Sequence, residues 1–160
     1  MDVPFYFTNF FPMLTELPAF FSGESEVYPE VLIESRNADL RFLLKTSLII
    51  WQYRVIESAG LTDTREIIDE QKPALILLDC DSRFEDALLK IRGLRQSRAV
   101  GQIPIIVLSD YSEKYNQELF YAAGANEHLL KPIDFERLAS LIDENIRRGY
   151  HSGPRSGGLL

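Results

Sequence analysis

The sequence is poor in the residues that form covalent cross-links and metal centres. Its one cysteine, Cys80, excludes an internal disulfide and a multi-cysteine zinc site, and fits a reducing compartment. Its only histidines are His128 and His151, which excludes a histidine-rich metal site. No apolar run approaches the ~20 residues that are needed to span a bilayer. We therefore expect a cytoplasmic protein with no membrane partner.

Basic residues are also scarce relative to acidic ones. The 160 residues include 17 Lys and Arg against 24 Asp and Glu, which gives a formal net charge of −7. A basic face is therefore not expected, and we predict no nucleic-acid partner. The hydrophobic fraction of 46% argues against general disorder. The length corresponds to one domain at ~150 residues per domain.

The first 30 residues differ in composition from the remainder of the chain. They contain five acidic residues and no basic residue. Their aromatic residues are Phe5, Tyr6, Phe7, Phe10, Phe11, Phe20, Phe21 and Tyr28. Rings left in water forfeit ~1.5–3 kcal/mol each, so we expect this segment to pack against another surface. Two alternatives stay open: a helix around Met13–Phe21 that folds back on the domain, or a homodimer or partner contact.

Residues 30–150 form the predicted domain, between an aromatic, acidic extension over 1–29 and a flexible Gly/Ser/Pro-rich tail over 151–160. The predicted strands are Val31–Ile33, Tyr53–Ser58, Ala74–Leu78, Ile103–Leu108 and Glu127–Leu130. The predicted helices are Asp39–Gln52, Leu61–Lys72, Glu85–Arg95, Ser112–Ala123 and Phe135–Arg148. These alternating elements predict an α/β fold: a doubly wound, five-stranded parallel sheet with helices on both faces.

Polar residues come directly after four of the predicted strands. They are Glu34 and Ser35, then Asp79, Cys80 and Asp81, then Ser109 and Asp110, and finally Lys131 and Pro132. If the strand order is 2-1-3-4-5, they share the carboxyl edge of the sheet, where such folds bind ligands. Asp79 could attack a phosphoryl group if a divalent cation offset the charge repulsion. Lys131 and Ser109 could then contact the phosphoryl oxygens.

Three segments resemble response-regulator receiver domains of two-component signalling. They are Pro73–Asp81 (PALILLDCD), Ile103–Asp110 (IPIIVLSD) and Gly124–Asp134 (GANEHLLKPID), and the helix start Ala38–Leu44 also fits. The resemblance covers roughly Pro29–Tyr150. It implies a flavodoxin-like sheet with the strand order 2-1-3-4-5 and a signalling role rather than an enzyme activity, beyond self-phosphorylation and dephosphorylation.

The resemblance also implies a role for individual residues. Asp79 is the expected phosphoacceptor, Ser109 the switch hydroxyl, and Lys131 the phosphate-contacting lysine with a cis bond to Pro132. The expected Mg²⁺ ligands are Glu34, Asp79 and the backbone carbonyl of Cys80, with Ser35 and Asp81 as further candidates. His128 stands where the family has its aromatic switch residue.

The sequence departs from the family pattern after the first strand, where receivers usually have two adjacent acids. A gapless match places Ser35 and Arg36 there, whereas one extra loop residue places Glu34 and Ser35 there. We prefer the second match because it keeps Glu34 at the mouth of the site rather than buried in the strand. With one carboxylate missing, Mg²⁺ binding should be weak. Asp110 replaces a small residue, so it could assist the cation or crowd the phosphate.

Two functions follow as hypotheses. The first is a stand-alone receiver that accepts a phosphoryl group on Asp79 from a histidine kinase or phosphotransfer protein and signals through a protein effector. The second is a phosphorylation-independent pseudo-receiver that acts as a protein-interaction module. A D-x-D phosphatase of the haloacid-dehalogenase type is disfavoured because the chain has no room for a cap. Cys80, between two acids, should have a raised pKa and low reactivity.

Overall fold

The computed structural model describes residues 28–80, 83–97, 100–111 and 114–151. Most of the predicted extension over 1–29 lies outside the described residues, as do the tail from residue 152 onward and Asp81. The structure therefore leaves the domain boundaries, the helix around Met13–Phe21 and the role of Asp81 as predictions.

Strands and helices alternate along the described chain. The strands are β1 (Glu30–Glu34), β2 (Arg54–Ser58), β3 (Leu75–Cys80), β4 (Ile105–Ser109) and β5 (Glu127–Leu130). The helices are α1 (Ala38–Ile50), α2 (Leu61–Gln71), α3 (Phe84–Arg95), α4 (Lys114–Ala123) and α5 (Phe135–His151). All neighbouring strands are parallel, in the order β2-β1-β3-β4-β5. The predicted fold class and strand order are confirmed.

The apolar residues of the strands alternate between two cores, one on each face of the sheet. Val31, Ile33, Leu75 and Leu77 pack with residues of α1 and α5. Leu32, Ile76 and Leu78 pack with residues of α2, α3 and α4. Because successive side chains of a strand point to opposite faces, Asp79 points toward α1 and α5, whereas Cys80 points toward the other core. The two faces of the sheet therefore receive different polar residues at its carboxyl edge.

Most element boundaries differ from the sequence-based expectation by a few residues. Two of these differences have a clear structural reason or consequence. β4 begins at Ile105 rather than Ile103, because Ile103 belongs to a turn in which its N–H donates to the Val100 carbonyl at 3.0 Å. β1 extends to Glu34, so this carboxylate belongs to the strand and is fully buried, contrary to the reason given for the preferred match. The charge partner of Glu34, described below, explains how the strand accommodates it.

Arg95 at the end of α3 fixes the turns that precede β4 and β5. Its guanidinium donates to the carbonyls of Val100, Ile103 and Gly124 at 2.8, 2.7 and 2.8 Å. It also donates to Asn126 Oδ1 at 2.7 Å. Gly124 has φ 116°, and a Cβ at that position would lie 2.6 Å from Cγ of Arg95. The turn therefore requires glycine, and Arg95 positions the two strands that carry Ser109 and Lys131.

No helix among the described residues is both long and apolar enough to cross a membrane.

Candidate functional site: a buried carboxylate at the carboxyl edge of the sheet

Asp79 is held by one hydroxyl and one ammonium group. Its side chain is 1% exposed. Ser35 Oγ donates a hydrogen bond to Oδ2 at 2.5 Å, and Lys131 Nζ lies 2.5 Å from Oδ1. Among the described residues, no donor forms a hydrogen bond of good geometry with Oδ1. The contact between Lys131 and Oδ1 is therefore an ion pair. Each carboxylate oxygen therefore has one close polar neighbour, the Ser35 hydroxyl at Oδ2 and the Lys131 ammonium at Oδ1.

The strand register explains why these residues meet. Glu34 at the end of β1 is paired with Leu78, so the next residue, Ser35, comes beside Asp79. Lys131 follows β5, where its N–H donates to the Ser109 carbonyl at 2.8 Å. Its peptide bond to Pro132 is cis, as the resemblance implied. Asp79, Ser109 and Lys131 were expected to lie around one phosphoryl group. Of these three residues, Asp79 and Lys131 are in direct contact in the structure.

Ser109 is hydrogen-bonded to His128 rather than to the carboxylate. The distance from Ser109 Oγ to His128 Nε2 is 2.7 Å, and the Tyr111 N–H donates to Ser109 Oγ at 3.2 Å. Burial lowers the pKa of His128, which favours a neutral ring, and the tautomer of that ring sets the direction of its hydrogen bond with Ser109. The imidazole also stacks on Phe120 of α4, with ring centres 5.2 Å apart. The two expected switch residues are thus directly coupled to each other and to α4.

Glu34 forms a buried ion pair with a residue that the sequence analysis missed. Lys90 Nζ lies 3.1 Å from Oε1 and 3.4 Å from Oε2 of Glu34. The Lys90 side chain is 10% exposed, and the Glu34 side chain is 0% exposed. A signal for this contact exists in the sequence, because Lys90 occupies a position in the buried stripe of α3 that includes Ala87, Ile91 and Leu94. A lysine in such a stripe requires a buried charge partner.

The Cys80 thiol is buried and its pKa is raised, as expected. Burial is the largest cause that raises its pKa to about 12. The next contribution, from Lys90, lowers the pKa; those of Asp79 and Glu34 raise it, and that of Lys131 lowers it. Cys80 therefore lies within electrostatic range of both carboxylates and both ammonium groups.

The described donor atoms do not fit a magnesium site with two protein carboxylates. Both carboxylate oxygens of Glu34 lie against Lys90, and the Ser35 hydroxyl donates to Asp79. Over the described part of the chain, no group of three or more His, Cys, Asp or Glu side chains is placed to hold a metal ion. Asp110 is exposed. The described side chains therefore do not supply the carboxylate ligands that the resemblance implied for Mg²⁺.

The described geometry agrees with the comparison against known families. The family model for the response regulator receiver domain matches residues 31–143, which is more than half of the chain. The chain belongs to the response regulator receiver domain family. Receiver domains are signalling modules of two-component systems rather than catalysts, and the resemblance found in the sequence is confirmed.

Several curated relatives of this receiver domain are transcriptional regulatory proteins. The KDP operon transcriptional regulatory protein KdpE of Escherichia coli (strain K12) is 35% identical over 118 residues, which cover 74% of this chain and 51% of KdpE. The phosphate regulon transcriptional regulatory protein PhoB of Pseudomonas aeruginosa is 28% identical over 134 residues, which cover 81% of this chain and 58% of PhoB. The chain therefore spans about half the length of these relatives.

Solved receiver structures share the fold. The receiver domain of sensor histidine kinase PA1611 from Pseudomonas aeruginosa PAO1 has a TM-score of 0.67 at 24% identity, over 76% of this chain and 99% of that one. It is described with a magnesium ion coordinated in its active site cleft. The CheY-like receiver domain protein from Methanospirillum hungatei JF-1 has a TM-score of 0.70 at 19% identity, over 79% and 99% of the two chains. At these identities the likeness supports the fold alone.

Proposed function

We propose that this receiver domain accepts a phosphoryl group on Asp79 within a two-component pathway. The observation that carries the proposal is the contact between the buried Asp79 carboxylate and Lys131 Nζ. The ammonium stabilises the ionised carboxylate, which is the nucleophilic form. It is also placed to pair with the oxygens of a phosphoryl group that arrives at the same carboxylate.

The transfer step would use Oδ1 of Asp79, the oxygen that the Lys131 ammonium contacts. Oδ1 forms a bond to phosphorus while the bond from phosphorus to the donor nitrogen of a phosphohistidine breaks, and the electron pair leaves with the imidazole. The product is an aspartyl phosphate whose acyl oxygens no longer carry the original charge. Lys131 would then pair with the phosphoryl oxygens instead.

The Ser109–His128 pair supports a route from the site to the surface. To donate to a phosphoryl oxygen, the Ser109 hydroxyl must break its hydrogen bond with His128. The imidazole would then lose a hydrogen bond while still stacked on Phe120 of α4. The equilibrium between the two arrangements would thus depend on one local charge change, and α4 and β5 would present different surfaces in each.

A small phosphodonor such as phosphoramidate tests the proposal. Intact mass spectrometry should show one added phosphoryl group on the wild type and none on Asp79→Asn. Asp110→Asn is the matched control, because it makes the same change at an exposed carboxylate nearby. Equal labelling of the wild type and Asp79→Asn would remove the assignment.

The partners of the domain follow from this function. We propose a sensor histidine kinase or phosphotransfer protein as the donor and a protein effector as the receiver of the signal. The excess of acidic over basic residues supports a protein partner for this domain rather than nucleic acid. A cytoplasmic location and a homodimer stay predictions.

A phosphorylation-independent interaction module is the second candidate function. The buried Glu34–Lys90 pair favours it, because that pair and Ser35 leave fewer carboxylates available than the family pattern has. Unlabelled wild-type protein under conditions that label another receiver domain would favour this candidate over the first.

A further inference from the structure

Lys90 is the one charged residue among the buried positions of α3. The other buried residues of the helix are Ala87, Leu88, Ile91 and Leu94, and all four belong to the core on that face of the sheet. Lys90 itself is 8% exposed. A lysine is almost never buried to this degree unless its charge is paired. Its ammonium is therefore placed by the fold, toward the carboxyl edge of the sheet.

The partner of Lys90 lies next to the proposed phosphoacceptor. Glu34 is opposite Leu78 in the β1–β3 register, one residue before Asp79. Its fully buried carboxylate faces Lys90 Nζ with both oxygens, at 3.1 and 3.4 Å. Burying this carboxylate without a positive charge would be strongly unfavourable. Lys90 therefore neutralises the acid that a divalent cation would otherwise be required to neutralise.

Among the described residues, four charged side chains at this edge form two ion pairs. We call Glu34, Asp79, Lys90 and Lys131 the charge cluster, and it holds two carboxylates and two ammonium groups. Each carboxylate has its own ammonium, since Lys90 pairs with Glu34 and Lys131 with Asp79. A divalent cation added to this cluster would meet two fixed positive charges and no unpaired carboxylate within it.

We propose that the Lys90 ammonium is a built-in replacement for the divalent cation at this site, so that phosphorylation of Asp79 does not require Mg²⁺. The second half of this statement rests on the proposed phosphoacceptor function. The first half concerns cation binding alone and stands without it.

Manganese(II) binding tests the first half directly. Free Mn²⁺ is titrated into the full chain and measured by its electron paramagnetic resonance signal, for the wild type, Lys90→Met and Lys90→Met/Glu34→Gln. We expect Lys90→Met to bind Mn²⁺ at least about tenfold more tightly than the wild type, because it removes the ammonium that competes with the cation for the Glu34 carboxylate. The double variant should return to the wild-type level. Equal binding by the wild type and Lys90→Met would overturn the proposal.

Thermal melts show whether the single variant, Lys90→Met, is folded. Lys90→Met removes the ammonium that faces both oxygens of the buried Glu34 carboxylate, so we expect a lower Tm that Mg²⁺ raises by about 4 °C or more. The Tm of the wild type should not respond to Mg²⁺. If Lys90→Met does not fold in the presence of a chelator, recovery of its native circular dichroism on addition of Mg²⁺ supports the proposal. Failure to recover overturns it.

Labelling with phosphoramidate separates this inference from the proposed function. Equal labelling of the wild type with Mg²⁺ and with a chelator supports both. Labelling that the chelator abolishes overturns the metal independence and leaves Asp79 as phosphoacceptor. No labelling in either condition overturns the phosphoacceptor function and with it the second half of the inference, while the Mn²⁺ titration still decides the first half.

Discussion

Lys131 Nζ lies 2.5 Å from Oδ1 of Asp79, and the carboxylate is buried while the lysine keeps one side toward solvent. The Lys131 ammonium can therefore pair with the Asp79 carboxylate and, after phosphorylation, with the phosphoryl oxygens. It also makes the site a source of structural stability, because the carboxylate depends on that partner.

Removing the Lys131 ammonium should destabilise the domain. Lys131→Met leaves the Asp79 carboxylate buried with the Ser35 hydroxyl alone, and breaking such a pair costs ~3–5 kcal/mol. Because Lys131 is partly exposed, we expect the lower end of that range, measured by urea denaturation. Lys45→Met, which breaks an exposed ion pair with Glu57, should cost less than ~1 kcal/mol. A similar loss in both variants would contradict the assigned role of Lys131.

The Ser35 hydroxyl should also contribute to stability. Ser35→Ala removes the 2.5 Å hydrogen bond to Asp79 Oδ2 and leaves that oxygen buried without the donor. We expect a loss of ~1–3 kcal/mol in the free energy of unfolding. Ser140→Ala is the control, since its exposed hydroxyl donates to the Glu136 carbonyl within α5. An equal effect of the two substitutions would show that the Ser35 contact carries no special weight.

The sequence allowed prediction of the sheet and of part of the site. The apolar runs around Ala74–Leu78 and Ile103–Leu108 marked buried strands, because strands covered on both faces must be continuously apolar. Parallel strands bring their carboxyl ends to one edge, so Asp79 and Lys131 were expected at the same edge once the resemblance supplied the strand order.

The partners of Glu34 and Ser109 required the three-dimensional structure. Which helical residue reaches Glu34 depends on how α3 is rotated against the sheet, and the sequence pattern shows only that Lys90 lies in the buried stripe. Ser109 and His128 were expected to act as a switch, but their direct hydrogen bond depends on the β4–β5 register. Side-chain pairs across elements are set by packing, which local periodicity does not encode.

His128 should make the stability of the domain depend on pH. Its pKa is lowered by burial in the folded state, so the unfolded chain binds a proton more readily. The stabilisation is therefore complete above the unfolded value of ~6.5 and is lost as the pH falls below it. His128→Gln should show a smaller loss of unfolding free energy than the wild type between pH 7.5 and pH 5.5. Parallel pH profiles for the two proteins would contradict this role.

Arg95 should not tolerate replacement by lysine. Its guanidinium donates four hydrogen bonds to the turns before β4 and β5, and a lysine cannot reproduce that planar geometry. We expect Arg95→Lys to lower the free energy of unfolding by ~2 kcal/mol. Arg92→Lys, at an exposed position of the same helix, should be neutral within ~0.5 kcal/mol. A neutral Arg95→Lys would mean that the turns are held by other contacts.

Chemical mapping of the phosphorylated residue shows whether Asp79 is the phosphoacceptor. After treatment with phosphoramidate, borohydride reduction converts an aspartyl phosphate into homoserine, and peptide mass spectrometry then locates that residue. If Asp79 is the phosphoacceptor, we expect homoserine at position 79 after treatment, and none at position 79 when the phosphodonor is omitted. Homoserine at position 81 or 110, with aspartate retained at position 79, would contradict it.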